Sequence, residues 1–228
     1  MLVTNSPRTA GGVEKQLDEL GVVSTSYDAV VTSGDVTRTL MLDQGGGKLF
    51  QLGPARDDSI FDGLDVARVP LDQANSVLCT GLFDELNETP ADYIPILKDI
   101  ERRGLPMICA NPDKIVRKGD LLIYCAGALA DEFIKLGGKV LMAGKPHRPI
   151  YDLAVRTAAQ LRKIAVTKDQ ILAIGDGPET DIKGAADYGL ACVLITGGIN
   201  SGENIAAIVT RSVPTARIQR ALPELDWS

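Results

Sequence analysis

An α/β fold with parallel strands follows from three observations in the 228-residue sequence. Short aliphatic runs recur, and each is followed by apolar positions at helical spacing. Aromatic residues make up only 4% of the chain against 45% hydrophobic residues in all, so Val, Ile, Leu and Ala must fill the core. That filling suits strands buried on both faces beneath helices. Most runs also end on small polar residues, and α/β sheets gather their chemistry at the carboxyl ends of their strands.

In chain order, Leu2-Val3 runs into Thr4-Asn5-Ser6, and a helix is predicted from about Gly12 to Leu20. Ala29-Val30-Val31 leads into Thr32-Ser33-Gly34, with a helix near 35–42. Val140-Leu141-Met142 leads into Gly144-Lys145-Pro146, then a helix with its apolar stripe at Ile150, Leu153, Ala154, Ala158 and Leu161. Ile171-Leu172-Ala173-Ile174 leads into Gly175-Asp176-Gly177, and a helix can begin near Thr180. Cys192-Val193-Leu194-Ile195 ends at Thr196-Gly197-Gly198.

The middle of the chain, about 43–138, alternates in the same way without the same polar strand ends. It opens on Gln44-Gly45-Gly46-Gly47 and returns through Gly137-Gly138. Its predicted strands are 48–52, 76–80, 106–109 and 121–124, with helices near 92–103 and 129–136. An α/β segment between two glycine hinges is where a cap over an active site would be attached. The expected organisation is a discontinuous core of 1–42 and 139–228 with a cap of 43–138. One continuous sheet is the alternative.

Lys and Arg number 24 and Asp and Glu 30, a net charge of −6, so neither nucleic acid nor an anionic membrane is the expected partner. Cys79, Cys109, Cys125 and Cys192 sit beside aliphatic or small residues and form no Cys-x-x-Cys pair. Reduced, buried thiols are the expectation. No apolar stretch approaches the roughly 20 residues of a membrane span, and the N-terminus lacks signal-peptide character. A cytoplasmic location follows as the default.

Several strand ends carry candidate chemistry. A lysine directly after a strand, as in Gly144-Lys145-Pro146, could neutralise a phosphate oxygen, although a surface lysine in a turn has the same signature. Asp176 and Asp181 lie on the loop Gly175-Asp176-Gly177-Pro178-Glu179-Thr180-Asp181. Mg²⁺ takes one or two such carboxylates, completed by water and phosphate oxygens. Asp181 could instead cap a helix or support the site from behind. Thr4 and Asn5 offer a hydroxyl and an amide to a phosphoryl group, or simply a turn. His147, the single histidine, reads as structural or as lying at the edge of a substrate site.

The order of the pieces is more specific than any one of them. Thr4-Asn5-Ser6-Pro7-Arg8, Thr32-Ser33-Gly34, Ala110-Asn111-Pro112-Asp113, Gly144-Lys145-Pro146 and Gly175-Asp176 through Thr180-Asp181-Ile182-Lys183-Gly184-Ala185 together resemble the haloacid dehalogenase (HAD) superfamily. The pattern is most similar to its subfamily IIA, the NagD-like phosphatases, from the first residues to at least Gly198. The resemblance implies a Rossmann-like core with an inserted α/β cap. It implies Mg²⁺-dependent hydrolysis of a small phosphorylated metabolite through an aspartyl-phosphate. By the same resemblance, Thr4, Asn5 and Lys145 bind the phosphoryl group, Lys145 being the catalytic lysine. Asp176 and Asp181 belong to the metal site, and Asn111 and Asp113 face the substrate from the cap.

One motif of that family is missing. Its Asp-x-Asp-Gly, which supplies the nucleophile and the general acid–base, precedes the Thr-Asn segment and ends the central strand. Here Thr4 is the fourth residue, and no Asp-x-Asp triplet occurs elsewhere. The expected consequences are loss of covalent catalysis, weak metal binding at Asp176, and a sheet with exposed apolar surface and unpaired edges. That exposure leaves a homo-oligomer open. Three readings remain: a shortened form of an ordinary phosphatase, a catalytically silent relative binding a phosphometabolite or a protein, and an unrelated α/β activity.

Overall fold

A computed structural model describes residues 1–44, 47–118, 121–197, 209 and 213–225. Gly45 and Gly46 of the first predicted hinge, and Gly198, lie outside these residues. The chain divides into two compact units, Met1–Gly144 and Lys145–Ser228.

In the first unit, β1 (Leu2–Thr4) and β2 (Val30–Thr32) pair in parallel and are connected through α1 (Ala10–Glu19). Helix α2 (Ser33–Asp43) starts directly from β2 because Thr32 caps it. The Thr32 hydroxyl accepts the Asp35 N–H at 2.9 Å, a cap of the kind that contributes about 1 kcal/mol. The Asp35 carboxylate in turn accepts the Ala10 N–H at 3.1 Å, so the starts of α1 and α2 are tied together.

The rest of this unit is built on a second sheet. Its strands are β3 (Lys48–Leu52), β4 (Ala67–Arg68), β5 (Ser76–Cys79), β6 (Met107–Cys109) and, after a separate hairpin of β7 (Ile115–Lys118) and β8 (Leu121–Tyr124), β9 (Val140–Met142). The order is β4-β3-β5-β6-β9, all parallel. Alternation sends Val77, Cys79, Met107 and Cys109 to one face, beneath α3 (Ile94–Arg102) and α4 (Ala126–Lys135). Leu49, Leu78 and Ile108 go to the other face, where Met41 of α2 and Ile60 cover them. The near-continuous apolar runs of these strands therefore reflect burial on both sides.

Two details differ from the sequence reading. The run 139–142 was assigned to the core, but Val140–Met142 registers with Met107–Cys109 and closes the five-stranded sheet. Val140 and Met142 pack on one face and Leu141 on the other, so the sheet extends beyond the Gly137-Gly138 return. Strands β4 and β7 were not foreseen; β4 has only two residues, and β7 carries Arg117 in place of a continuous apolar run.

The second unit contains α5 (Arg148–Arg162), β10 (Leu172–Gly175), α6 (Lys183–Tyr188), β11 (Ala191–Ile195) and β12 (Arg217–Leu222). The sheet order is β10-β11-β12, all parallel. Strand β12 was also unforeseen, since Arg217 and Arg220 interrupt its apolar pattern and most of it is exposed. Among the described residues β1 pairs only with β2 and β10 only with β11. Leu172 is 51% exposed and Ile174 43%. No helix among the described residues is long and apolar enough to cross a membrane.

All four cysteines are free and buried, as expected. Burial pushes the Cys109 and Cys125 thiols up to about 12.

Candidate functional site

In the first unit, the candidate phosphate loop begins where β1 ends. The Thr4 hydroxyl accepts the Ser6 N–H at 3.2 Å, and the Ser6 carbonyl accepts the Gly34 N–H at 3.1 Å. The turn is thus held from its own side chain and from the start of α2. Asn5 is buried, and its amide donates to the Asp113 carboxylate at 2.9 Å across 108 positions of sequence. Asp113 lies in the loop after β6, whose shape is set by its N–H donating to Asn111 Oδ1 at 3.0 Å. The end of β9 closes over the same place. A Cβ on Gly144 would overlap Asn5 Oδ1 and Pro112, so only glycine fits there. Four sequence-predicted residues, Thr4, Asn5, Asn111 and Asp113, therefore belong to connected loops at the carboxyl ends of parallel strands. Asn111 and Asp113 hold Asn5 and its loop in place.

In the second unit, Lys145 and Asp181 form an ion pair, with Nζ donating to Oδ1 at 2.7 Å. Each side chain is 17% exposed, which shields the pair from screening while leaving it reachable. Asp181 Oδ2 accepts the Gly177 N–H at 3.0 Å. The chain between Gly177 and Lys183 is a wide turn, Pro178–Ile182, that leads into α6 and turns Asp181 back toward β10. A Cβ on Gly175 would overlap the Asp181 side chain, so the strand end must be glycine for the carboxylate to sit there. Asp176 lies half-buried between these glycines. His147 immediately precedes α5 and makes no side-chain cap bond. The first turn of that helix holds Pro149.

The fit to a metal is partial. Asp181 has one oxygen on Lys145 and the other on Gly177. Among the described residues, no group of three or more His, Cys, Asp or Glu side chains could hold a metal ion. Mg²⁺ needs an octahedron of hard oxygen ligands, and the donors present do not make that site by themselves.

A separate cleft of about 510 Å³, not foreseen from sequence, opens beside the carboxyl ends of β3 and β4. Phe50, Phe83 and Val69 give it apolar walls, and Arg68 pairs there with Asp58 at 2.6 Å. Its polar residues come from three separated stretches with no shared spacing, so no sequence signal marked it.

A family model described as HAD-hydrolase-like matches residues 142–222. The chain is 48% identical to a crystal structure described as a hydrolase of the haloacid dehalogenase-like family from Brucella suis. The match covers 99% of this chain and 82% of that one, with a TM-score of 0.88. The fold also matches a glycerol phosphate phosphatase from Mycobacterium tuberculosis solved in complex with calcium, at 23% identity and a TM-score of 0.71. That match covers 96% of this chain and 61% of the other. A curated cardiolipin synthase/mitochondrial hydrolase fusion protein of Schizosaccharomyces pombe is 25% identical over 199 residues, 74% of this chain. The chain spans 32% of that relative's length.

Proposed function

The chain belongs to the haloacid dehalogenase-like family, and on that premise we propose that it carries the phosphate-binding half of a subfamily IIA phosphatase acting on a small phosphorylated metabolite in the cytoplasm. The observation that carries this reading is the Lys145–Asp181 pair beside Asp176 at the carboxyl end of β10. A fixed, partly shielded ammonium neutralises a phosphoryl oxygen far better than a mobile surface lysine does. In this reading the Thr4 hydroxyl and the Asn5 amide are the phosphoryl-binding groups of the first unit, and in the second unit Asp181 holds Lys145 for the same chemistry. The expected division, 1–42 and 139–228 as core and 43–138 as cap, is carried with it, with β9 paired in the five-stranded sheet of the first unit.

Magnesium is the divalent cation of this proposal, with Asp176 as the carboxylate that would hold it. Bound there it would withdraw negative charge from the phosphoryl oxygens. The 228 residues contain no Asp-x-Asp triplet to act as nucleophile and proton shuttle. By itself, then, the chain should bind phosphate without hydrolysing esters. The same fact favours a second reading, a silent relative that holds a phosphometabolite or a protein.

Calorimetric titration with inorganic phosphate tests the site. Binding should weaken about tenfold or more in Lys145→Ala and in Thr4→Val. Affinity untouched by both substitutions would overturn the assignment. For hydrolysis, 4-nitrophenyl phosphate should remain intact with Mg²⁺ present, and turnover abolished by Asp176→Asn would refute the inactivity. An in-frame Asp-x-Asp-Gly in the DNA upstream of Met1 would favour the shortened phosphatase over the silent relative.

A further inference from the structure

The cleft beside β3 and β4 sets a fixed guanidinium among apolar walls, and the phosphate chemistry leaves it unused. Gln51 is buried, and its Oε1 accepts Arg68 Nη1 at 3.0 Å. Asp58 Oδ2 pairs with the same Nη1 at 2.6 Å. Among the described residues both contacts fall on that one nitrogen, in a side chain 52% exposed. Nε and Nη2, the edge that grips a carboxylate side-on, are left for a ligand. The aromatic wall is equally well fixed. Phe83 is half-exposed and stacks on Tyr93 with ring centroids 5.8 Å apart. The Tyr93 hydroxyl accepts the Phe83 N–H and donates to the Glu88 carboxylate, so the ring is held before any ligand arrives.

We propose that this cleft is a second small-molecule site, and that it takes an aromatic monocarboxylate. The Arg68 edge receives the carboxylate, and Phe83 with Val69 and Pro70 receives the ring. Charge decides the class of ligand. The Arg68 bond is the main cause that holds Asp58 below the ordinary carboxylate range, so the pair is charged at neutral pH and sums to zero. A dianionic phosphate would meet the like charge of Asp58. A single delocalised charge gains two charge-assisted hydrogen bonds at smaller cost. A wholly apolar ligand would strip water from Nε and Nη2 and return no acceptor. The volume, about 510 Å³, lies in the range of small-ligand sites.

The order β4-β3-β5-β6 keeps this site apart from the phosphate loop. Neighbouring strands lie about 4.8 Å apart, so the end of β4 is roughly 14 Å across the sheet from the end of β6. Asn111 and Asp113, which hold Asn5, follow β6. A compact phosphorylated metabolite does not span that distance, so the two sites fill independently.

Titration of the 228-residue chain with benzoate, followed by saturation-transfer NMR and calorimetry, tests the site. The expected result is saturable binding with a dissociation constant on the order of 1 mM, as suits so small a ligand. Arg68→Met and Phe83→Ala should each weaken it about tenfold or more. Both side chains are half-exposed, so the fold should persist by circular dichroism. Benzylamine has nearly the same shape and the opposite charge, and should bind at least about tenfold more weakly. Saturating inorganic phosphate should leave benzoate bound. Absence of saturable benzoate binding, affinity kept in both variants, equal binding of benzylamine, or displacement by phosphate would each overturn the proposal.

Discussion

Strands β5 and β10 are both short, largely aliphatic runs, Ser-Val-Leu-Cys and Leu-Ala-Ile-Gly, in opposite environments. Every residue of β5 is buried, with neighbours on both sides and helices on both faces. In β10 the two large side chains stand 51% and 43% exposed, and only β11 pairs with it among the described residues. A short aliphatic run thus identifies a strand without saying whether anything covers it. The first unit is stabilised by its core, whereas the second exposes apolar surface next to its polar strand end.

Core truncation gives the largest expected effect and the sharpest contrast. Leu78→Ala should cost about 2–5 kcal/mol in urea unfolding, because the side chain is fully buried in a two-faced sheet. Ile174→Ala should cost under about 1 kcal/mol. Equal losses would erase the distinction between the two strands.

Next in size is the ion pair of the second unit. A double-mutant cycle of Lys145→Met and Asp181→Asn, read by denaturation, should give a coupling of about 1–3 kcal/mol, since both side chains are largely buried. A coupling near zero would reduce the pair to an ordinary surface contact.

The first unit hides a carboxylate of its own. Burial is the main cause that raises Asp57 from the ordinary carboxylate value, with Arg56 pulling the other way. The folded chain therefore keeps this proton to higher pH than the unfolded chain. From about pH 4, where an unfolded Asp titrates, up to the raised folded value, the folded state binds more protons and stability falls as pH rises. Asp57→Asn should flatten that part of the stability–pH curve and leave neutral-pH stability unchanged or higher by up to about 1 kcal/mol. A steeper decline in the variant would contradict the assignment.

The smallest effect concerns thiols. With Cys109 and Cys125 pushed up to about 12 by burial, native protein should react with an aromatic disulfide reagent far more slowly than unfolded protein, which exposes all four thiols. Prompt labelling of these two cysteines in the native state would show that the sheet opens readily.

Much of the candidate site was legible because its residues lie where strands end. Thr4, Asn5, Lys145, Asp176 and Asp181 could be named from aliphatic runs closing on Thr, Asn, Lys, Gly and Asp. Their partners were less accessible. The bond from Asn5 to Asp113 spans 108 positions, and the Lys145–Asp181 bond spans 36, separations no local pattern encodes. Asp181 could be read as metal ligand or support from its spacing alone; what the fold adds is the Gly177 N–H on one of its oxygens and the lysine ammonium on the other.

By itself the sequence determined the α/β class, most strand positions and the identity of the polar strand ends, because these depend on short-range periodicity and residue chemistry. Tertiary structure decided the rest. It placed Val140–Met142 in the five-stranded sheet, joined Asn5 to the Asn111–Asp113 loop, and left β8 and β10 with apolar side chains in water. The physical reason is that burial and pairing depend on which distant segment fills the adjacent space.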